Sequence, residues 1–276
     1  MRVAVIGPGR VGGALAIGLQ RAGHDIAAAA GRSDTSPGLA RFAELFPTTP
    51  IRPLTDVTRD VDLVLLTTPD DDIARVAGQV ALADAVIDGQ RWVHTAGGQG
   101  VEALSVVAAA GGRVAACHPA MTFTDPVAGA DRLPGTTWAV TAAERDLSWA
   151  RLLVLDLRGS PVTLAGTDRT LYHAGMAVGS NATTAVVTLA RDLLLGAGVT
   201  DPASFLDPVV TASAQGGAQR GVDALTGPVQ RGDVGTVQAH LRELRTSFPE
   251  AVEAYVALGR LILSQAVRAG LDADAA

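Results

Sequence analysis

The chain has no lysine: all 22 of its basic residues are arginine. That absence excludes a Schiff-base lysine, a P-loop lysine and a lysine general acid. Any proton donor must be histidine, tyrosine, cysteine, a carboxylic acid or water. Cysteine occurs once, at Cys117, which excludes an intrachain disulfide. A reducing, cytoplasmic setting is therefore expected, with no cysteine-based zinc site and no metal. No apolar run reaches the length of a membrane span without a charge or a glycine-rich break, and no signal peptide is read at the N-terminus. No basic patch of nucleic-acid type occurs in a chain of net charge −6, so neither a nucleic acid nor a membrane is expected as partner. What the 276 residues do contain is 48% hydrophobic residues against 18% charged. That is enough for a substantial core in one large domain or two modest ones.

Strand-like and helix-like runs alternate through the first half. Arg2 to Ile6 is a short β-branched apolar run. Val11, Ala14, Leu15, Gly18, Leu19 and Ala22 then recur at the offsets of a helix with one buried face. Further strands are expected at 24–30, weakly at 51–54, and at 61–67, 92–95 and 113–117. The alternation predicts an α/β fold with a doubly wound parallel sheet. Strands at 136–141 and 161–164 flank a helix at 143–157. From Asp168 onward only helices are expected, at 168–195, 203–218, 233–246 and 249–269. The first of these is small or apolar nearly all round, which predicts burial on most sides. The expected organisation is a nucleotide-binding domain over 1–160 and an all-helical domain over 161–276.

Gly7-Pro8-Gly9-Arg10-Val11-Gly12 matches G-x-G-x-x-G, follows a predicted strand and opens a predicted helix. Gly7 permits the turn, Gly9 lets backbone approach a pyrophosphate, and Gly12 lets helix and strand pack closely. The helix N-terminus then faces the phosphates. The second strand ends in Ala30-Gly31-Arg32-Ser33 rather than in the carboxylate that binds a ribose 2′-hydroxyl. An arginine and a hydroxyl suit a 2′-phosphate, so NADP (as NADPH) is the expected cofactor. Asp34 next in sequence is the residue that argues the other way, and Arg32 capping a surface loop is the alternative. Thr67-Thr68-Pro69 closes the fourth strand against the cofactor. Asp70, Asp71 and Asp72 are expected to cap the following helix rather than bind metal.

Three histidines sit where acid–base chemistry is plausible. His94, followed by Thr95, and His118 end strands at the carboxyl edge where open α/β sheets bind ligands. His173 lies on the long helix, with Ser180 on its face and Asn181 rotated off it by roughly 80°. Each has a structural alternative as a satisfied core histidine. Cys117 points to the opposite strand face from His118 and is expected to be an inert buried thiol.

In order, the chain carries the glycine fingerprint, Arg32-Ser33, His94-Thr95-x-Gly97, and His118-Pro119 with Thr122-Phe123. Tyr172-His173 with Ser180-Asn181 follows, then Thr226-Gly227-Pro228 with Arg231-Gly232-Asp233. Over essentially its whole length it resembles Rossmann-like proteins with a DUF2520 C-terminal domain. Its first half is also similar to coenzyme F420-dependent NADP reductases and to pyrroline-5-carboxylate and ketopantoate reductases. The resemblance implies an NADP-dependent oxidoreductase acting on a small carbonyl or imine, with ketopantoate the specific expectation, and a homodimer through the C-terminal helices. Ketopantoate reductases use a helix lysine with an asparagine four residues on. Here the corresponding acid is expected to be His173, with Ser180, Asn181 and His118 as further catalytic candidates. A non-catalytic NADP(H)-binding sensor and a deazaflavin-linked NADP reductase are the alternatives.

Overall fold

A computed structural model describes residues 1–33 and 36–270. Asp34 thus lies outside the described residues. The chain forms two compact units, Met1–Val178 and Gly179–Ala276.

The first unit is built on a seven-stranded sheet in the order β2-β1-β3-β4-β5-β6-β7. Its strands are β1 (Arg2–Ile6), β2 (Asp25–Ala30), β3 (Leu63–Leu66), β4 (Arg91–His94), β5 (Arg113–Pro119), β6 (Thr137–Ala142) and β7 (Ser160–Thr163). All neighbours pair in parallel except β5 with β6, which run antiparallel. The helices are α1 (Arg10–Arg21), α2 (Pro37–Leu45), α3 (Ile73–Leu82), α4 (Ser105–Ala109), α5 (Pro126–Asp131), α6 (Glu144–Asp156) and α7 (Arg169–Ala177).

A parallel sheet covered on both faces needs strands that are apolar throughout, and β3 (Leu-Val-Leu-Leu) is buried at every position. Alternate residues feed two cores. Val3, Val5, Leu63 and Leu65 join Leu15, Leu19 and Trp149 on one face. Ala4, Ile6, Val64 and Leu66 join Trp92, Ile73 and Val80 on the other. The order reverses at β1, so the carboxyl ends of β1 and β3 open a crevice of the kind that binds ligands.

The expected strand at 51–54 is reduced to one bridge, Ile51 to Ala29. The Ala29 amide donates to the Pro50 carbonyl and the Arg52 amide to the Ala29 carbonyl. Pro53 then has no N–H to continue the ladder.

The second unit holds α8 (Thr183–Gly196), α9 (Pro202–Arg220), α10 (Val234–Ser247) and α11 (Val252–Arg268). The expected long helix is interrupted, because Val178–Ala182 is a π-helical turn. Regular α-helical offsets from His173 therefore end at Ala177. Its expected burial is also not found: Leu171 is 80% exposed and Val178 66%. Small and apolar composition specifies a surface that can be covered, and a single chain does not cover it. No described helix is long and apolar enough to cross a membrane.

Candidate active site

The crevice between β1 and β3 is a cleft of about 870 Å³ within the first unit. The turn after β1 forms its floor. Gly7 has φ of +79°, and a Cβ there would lie 2.8 Å from the Thr68 backbone, so only glycine fits. The Thr67 hydroxyl donates to the Gly7 carbonyl at 2.8 Å and locks the turn. A Cβ on Gly9 would meet nothing nearer than the Gly7 carbonyl at 3.9 Å, which leaves open space above it. The first-turn amides of α1 lack intrahelical acceptors by helix geometry. Among the expected residues, Gly7, Pro8, Gly9, Arg10, Val11, Arg32, Ser33, Thr67, Thr68, Pro69 and Thr95 line the cleft. Gly12 packs beneath it against the Thr67 side chain. The Thr68 hydroxyl is buried in the cleft wall without a hydrogen-bond partner. An open glycine cradle, a helix N-terminus and an unsatisfied hydroxyl are the donor set that fits a dinucleotide.

Three guanidiniums gather at the end of this cleft nearest the tip of β2: Arg32, Arg52 and Arg75. Asp72 ties two of them together. Its Oδ2 accepts from Arg32 at 3.1 Å, and its Oδ1 accepts from Arg75 at 2.6 and 3.0 Å. Hydrogen bonds from Arg75 and then Arg32 hold its carboxyl below the usual range. The expected capping role is not taken: Asp72 precedes α3 but its side chain makes no cap bond, because the two guanidiniums are stronger partners.

His94, placed by the sequence against the cofactor, is fully buried and outside the cleft lining. Its Nε2 lies 2.8 Å from the Gly100 carbonyl and so carries the proton, leaving Nδ1 to accept from the Ala96 amide at 3.2 Å. Burial pulls its pKa down to about 4.

His118, Tyr172 and His173 come together on one side of Gly97-Gly98. His118 Nδ1 is 2.8 Å from the Tyr172 hydroxyl. The His118 and His173 rings stand edge to face, 6.0 Å apart. A Cβ on Gly97 would be 2.5 Å from the His173 ring and 3.0 Å from His118 Nε2, so the backbone must be glycine for the imidazoles to approach. Burial first, then the charges of Arg169 and His173, bring His118 down to about 4. Burial raises the Tyr172 phenol. Both groups are therefore uncharged at neutral pH. None of these three residues lines the cleft, but Gln99, next to Gly98 against which His173 lies, donates to the Asp70 carbonyl in the cleft wall at 3.0 Å, which sets the cluster beside it. Ser180 and Asn181 lie in the π-helical turn, in the second unit.

The sequence reading missed Arg52 and Arg75, which reach the cleft from separate segments. It also missed Arg169 and gave Tyr172 no role. A signal existed for these two: Arg169, Tyr172 and His173 stand at i, i+3 and i+4, on one helix face.

A family described as Rossmann-like domain matches residues 1–119, and DUF2520, described as a domain of unknown function, matches 136–262. The chain thus joins a Rossmann-like domain to a DUF2520 domain. No curated protein matches the sequence. Among solved structures, one described as an NADP oxidoreductase from Bacteroides fragilis is 21% identical with a TM-score of 0.78. That likeness covers 95% of this chain and 98% of the other. An imine reductase from Streptomyces aurantiacus is 18% identical, TM-score 0.68, covering 99% and 100%. An imine reductase from Myxococcus stipitatus in complex with NADP+ is 14% identical, TM-score 0.69, covering 98% and 95%. At these identities the likeness is one of fold.

Proposed function

We propose that this protein is an NADP(H)-dependent oxidoreductase that reduces a small carbonyl or imine compound. The observation that carries the reading is the cleft itself. A glycine cradle ends in three guanidiniums at the tip of β2, with a histidine–tyrosine cluster beside Asp70 in its wall. Gly7, Pro8, Gly9 and the first-turn amides at Arg10 and Val11 hold the pyrophosphate. Arg32 and Ser33 take the 2′-phosphate, while Thr67, Thr68, Pro69 and Thr95 line the ribose and nicotinamide side. Once bound, the cofactor supplies the hydride.

The chain's own task is to deliver a proton to the substrate oxygen or nitrogen that gains electron density. Tyr172 holds that proton. A neutral imidazole has one N–H and one acceptor nitrogen. His118 can therefore pass its Nδ1 proton to the phenolic oxygen as Tyr172 gives its own to the substrate. Nε2 takes a replacement from water, and the net transfer is one solvent proton. His173, Ser180 and Asn181 are the further donors proposed around the substrate. Similarity in fold to imine reductases supports a C=N substrate, and ketopantoate is the keto acid the sequence proposes. Two copies pair through the second unit, a reading supported by the exposure of Phe205, Val209 and Leu261. A cytoplasmic setting fits the single, fully buried, unpaired Cys117.

Loss of NADPH absorbance with a cyclic imine and with ketopantoate, NADH run in parallel, tests the reading. Oxidation of NADPH well above NADH is expected with one of the two. Arg32→Ala should weaken NADPH binding about 10- to 100-fold and leave NADH binding nearly unchanged. Equal use of both cofactors by the wild type would remove the 2′-phosphate assignment.

A further inference from the structure

Arg169, the first residue of α7, is fully buried, and no carboxylate among the described residues forms an ion pair with it. A guanidinium does not shed its proton in a protein, so this position holds a cation in the interior. Its surroundings account for how it is tolerated. Nε donates to Thr141 Oγ1 at 2.9 Å. One terminal nitrogen reaches the Ala96 and Gly97 carbonyls at 2.8 and 3.3 Å. The other reaches those of Ala116 and Ala139 at 2.7 and 3.0 Å. Every N–H of the fork is satisfied by an uncharged oxygen. The acceptors come from the loop after β4, from β5 and from β6, so one side chain ties these three segments to the helix bearing Tyr172 and His173.

Such a residue is expensive as a mere fastener, because a well-packed apolar side chain holds a core as firmly. Its charge is the part that a fastener does not need. We propose that Arg169 is a positioning residue whose buried guanidinium, in an ion pair with no carboxylate among the described residues, holds His118 neutral in its hydrogen bond to Tyr172. This deepens the reductase reading and rests on it for its purpose.

Burial is the largest influence on His118, and the two charges that bear on it act in the same direction. Arg169 and His173 from α7 disfavour its protonation, and the Tyr172 phenol hydrogen-bonds to it. Cys117, its strand neighbour, is a buried thiol pushed up to about 12 and therefore neutral. The acidic groups nearby act elsewhere: Glu102 on His94 and Arg169, Asp70 with His173. A neutral His118 keeps an acceptor nitrogen for the proton relay, which an imidazolium lacks.

The test needs neither cofactor nor substrate, so its failure is separable from failure of the reductase reading. Histidine ring signals of the full-length protein are followed by NMR across pH, with His118→Asn identifying the His118 signal. In the wild type His118 should stay neutral down to about pH 5. In Arg169→Gln or Arg169→Met its midpoint should rise by about one pH unit or more. A wild-type midpoint near 6.5, or a midpoint unmoved in a folded neutral variant, overturns the proposal. Should neither neutral variant fold, Arg169→Lys decides: it keeps the cation without the fork, so His118 should stay neutral down to about pH 5 as in the wild type. A His118 midpoint near 6.5 in that variant overturns the proposal.

Discussion

The two units of this chain solve the burial problem differently. In the first, both faces of the sheet are covered, and Trp92, Trp138 and Phe42 are all but inaccessible. In the second, Pro202, Leu244, Ala251 and Ala266 are the buried apolar side chains among those described, while Phe205, Val209, Val234 and Leu261 are more than half exposed. Helices do not fold on propensity alone; an amphipathic face needs something to pack against. The first unit has the makings of a self-sufficient domain. The second has apolar surface left over, which is what an interface with another copy consumes.

The contrast can be broken most forcefully at Trp92. Its indole is fully buried and donates to Gln90 Oε1 at 3.0 Å, and Gln90 in turn donates to the carbonyls of Thr58 and Val61. Trp92→Ala should cost about 3–5 kcal/mol in urea unfolding. A loss below about 1 kcal/mol would mean that the core of the first unit is not the main source of stability.

Acid is the next lever. His94 and His118 are held near 4 in the folded chain and return to 6.5 when unfolded. The native state binds fewer protons between those values, so stability is full above about 6.5 and is lost as pH falls toward 4. The loss should be roughly 3 kcal/mol for the fully buried His94 and less for the half-buried His118. A urea midpoint that is the same at pH 7 and pH 4.5 would contradict both assignments.

The smallest effect is expected in the second unit. Phe205 is 60% exposed, so Phe205→Ser should change the unfolding of a dilute single chain by less than about 0.5 kcal/mol. Sedimentation should nevertheless show self-association weakened about tenfold. A wild type that sediments as a monomer at every concentration would end the dimer proposal and leave the exposed faces to another partner.

Most of the sheet was legible because parallel strands buried on both faces leave unbroken apolar runs, as at Leu63–Leu66. The cradle was legible because only glycine adopts the conformation at position 7. Residues 51–54 misled because Ile51 and Leu54 suggested a strand where Pro53 has no amide to continue the ladder. The long helix misled because composition does not reveal a π turn at Val178–Ala182. Arg52 and Arg75 were invisible for another reason: what they share is a destination, not a spacing. Arg169 has the residue type of a surface side chain, and only the converging carbonyls of two strands and the loop after β4 disclose that it lies inside.

With Arg32 proposed to take the 2′-phosphate, its ion pair with Asp72 bears on how long the cofactor would stay. An incoming phosphate does not meet an idle cation there. It competes with a carboxylate that already takes one hydrogen bond from the exposed guanidinium, and that carboxylate is in place to recapture the N–H when the phosphate leaves. Binding is then an exchange of partners, worth less than the contacts alone suggest, and departure is assisted. An enzyme that must discard its spent nucleotide after every cycle gains by such a rival at the door.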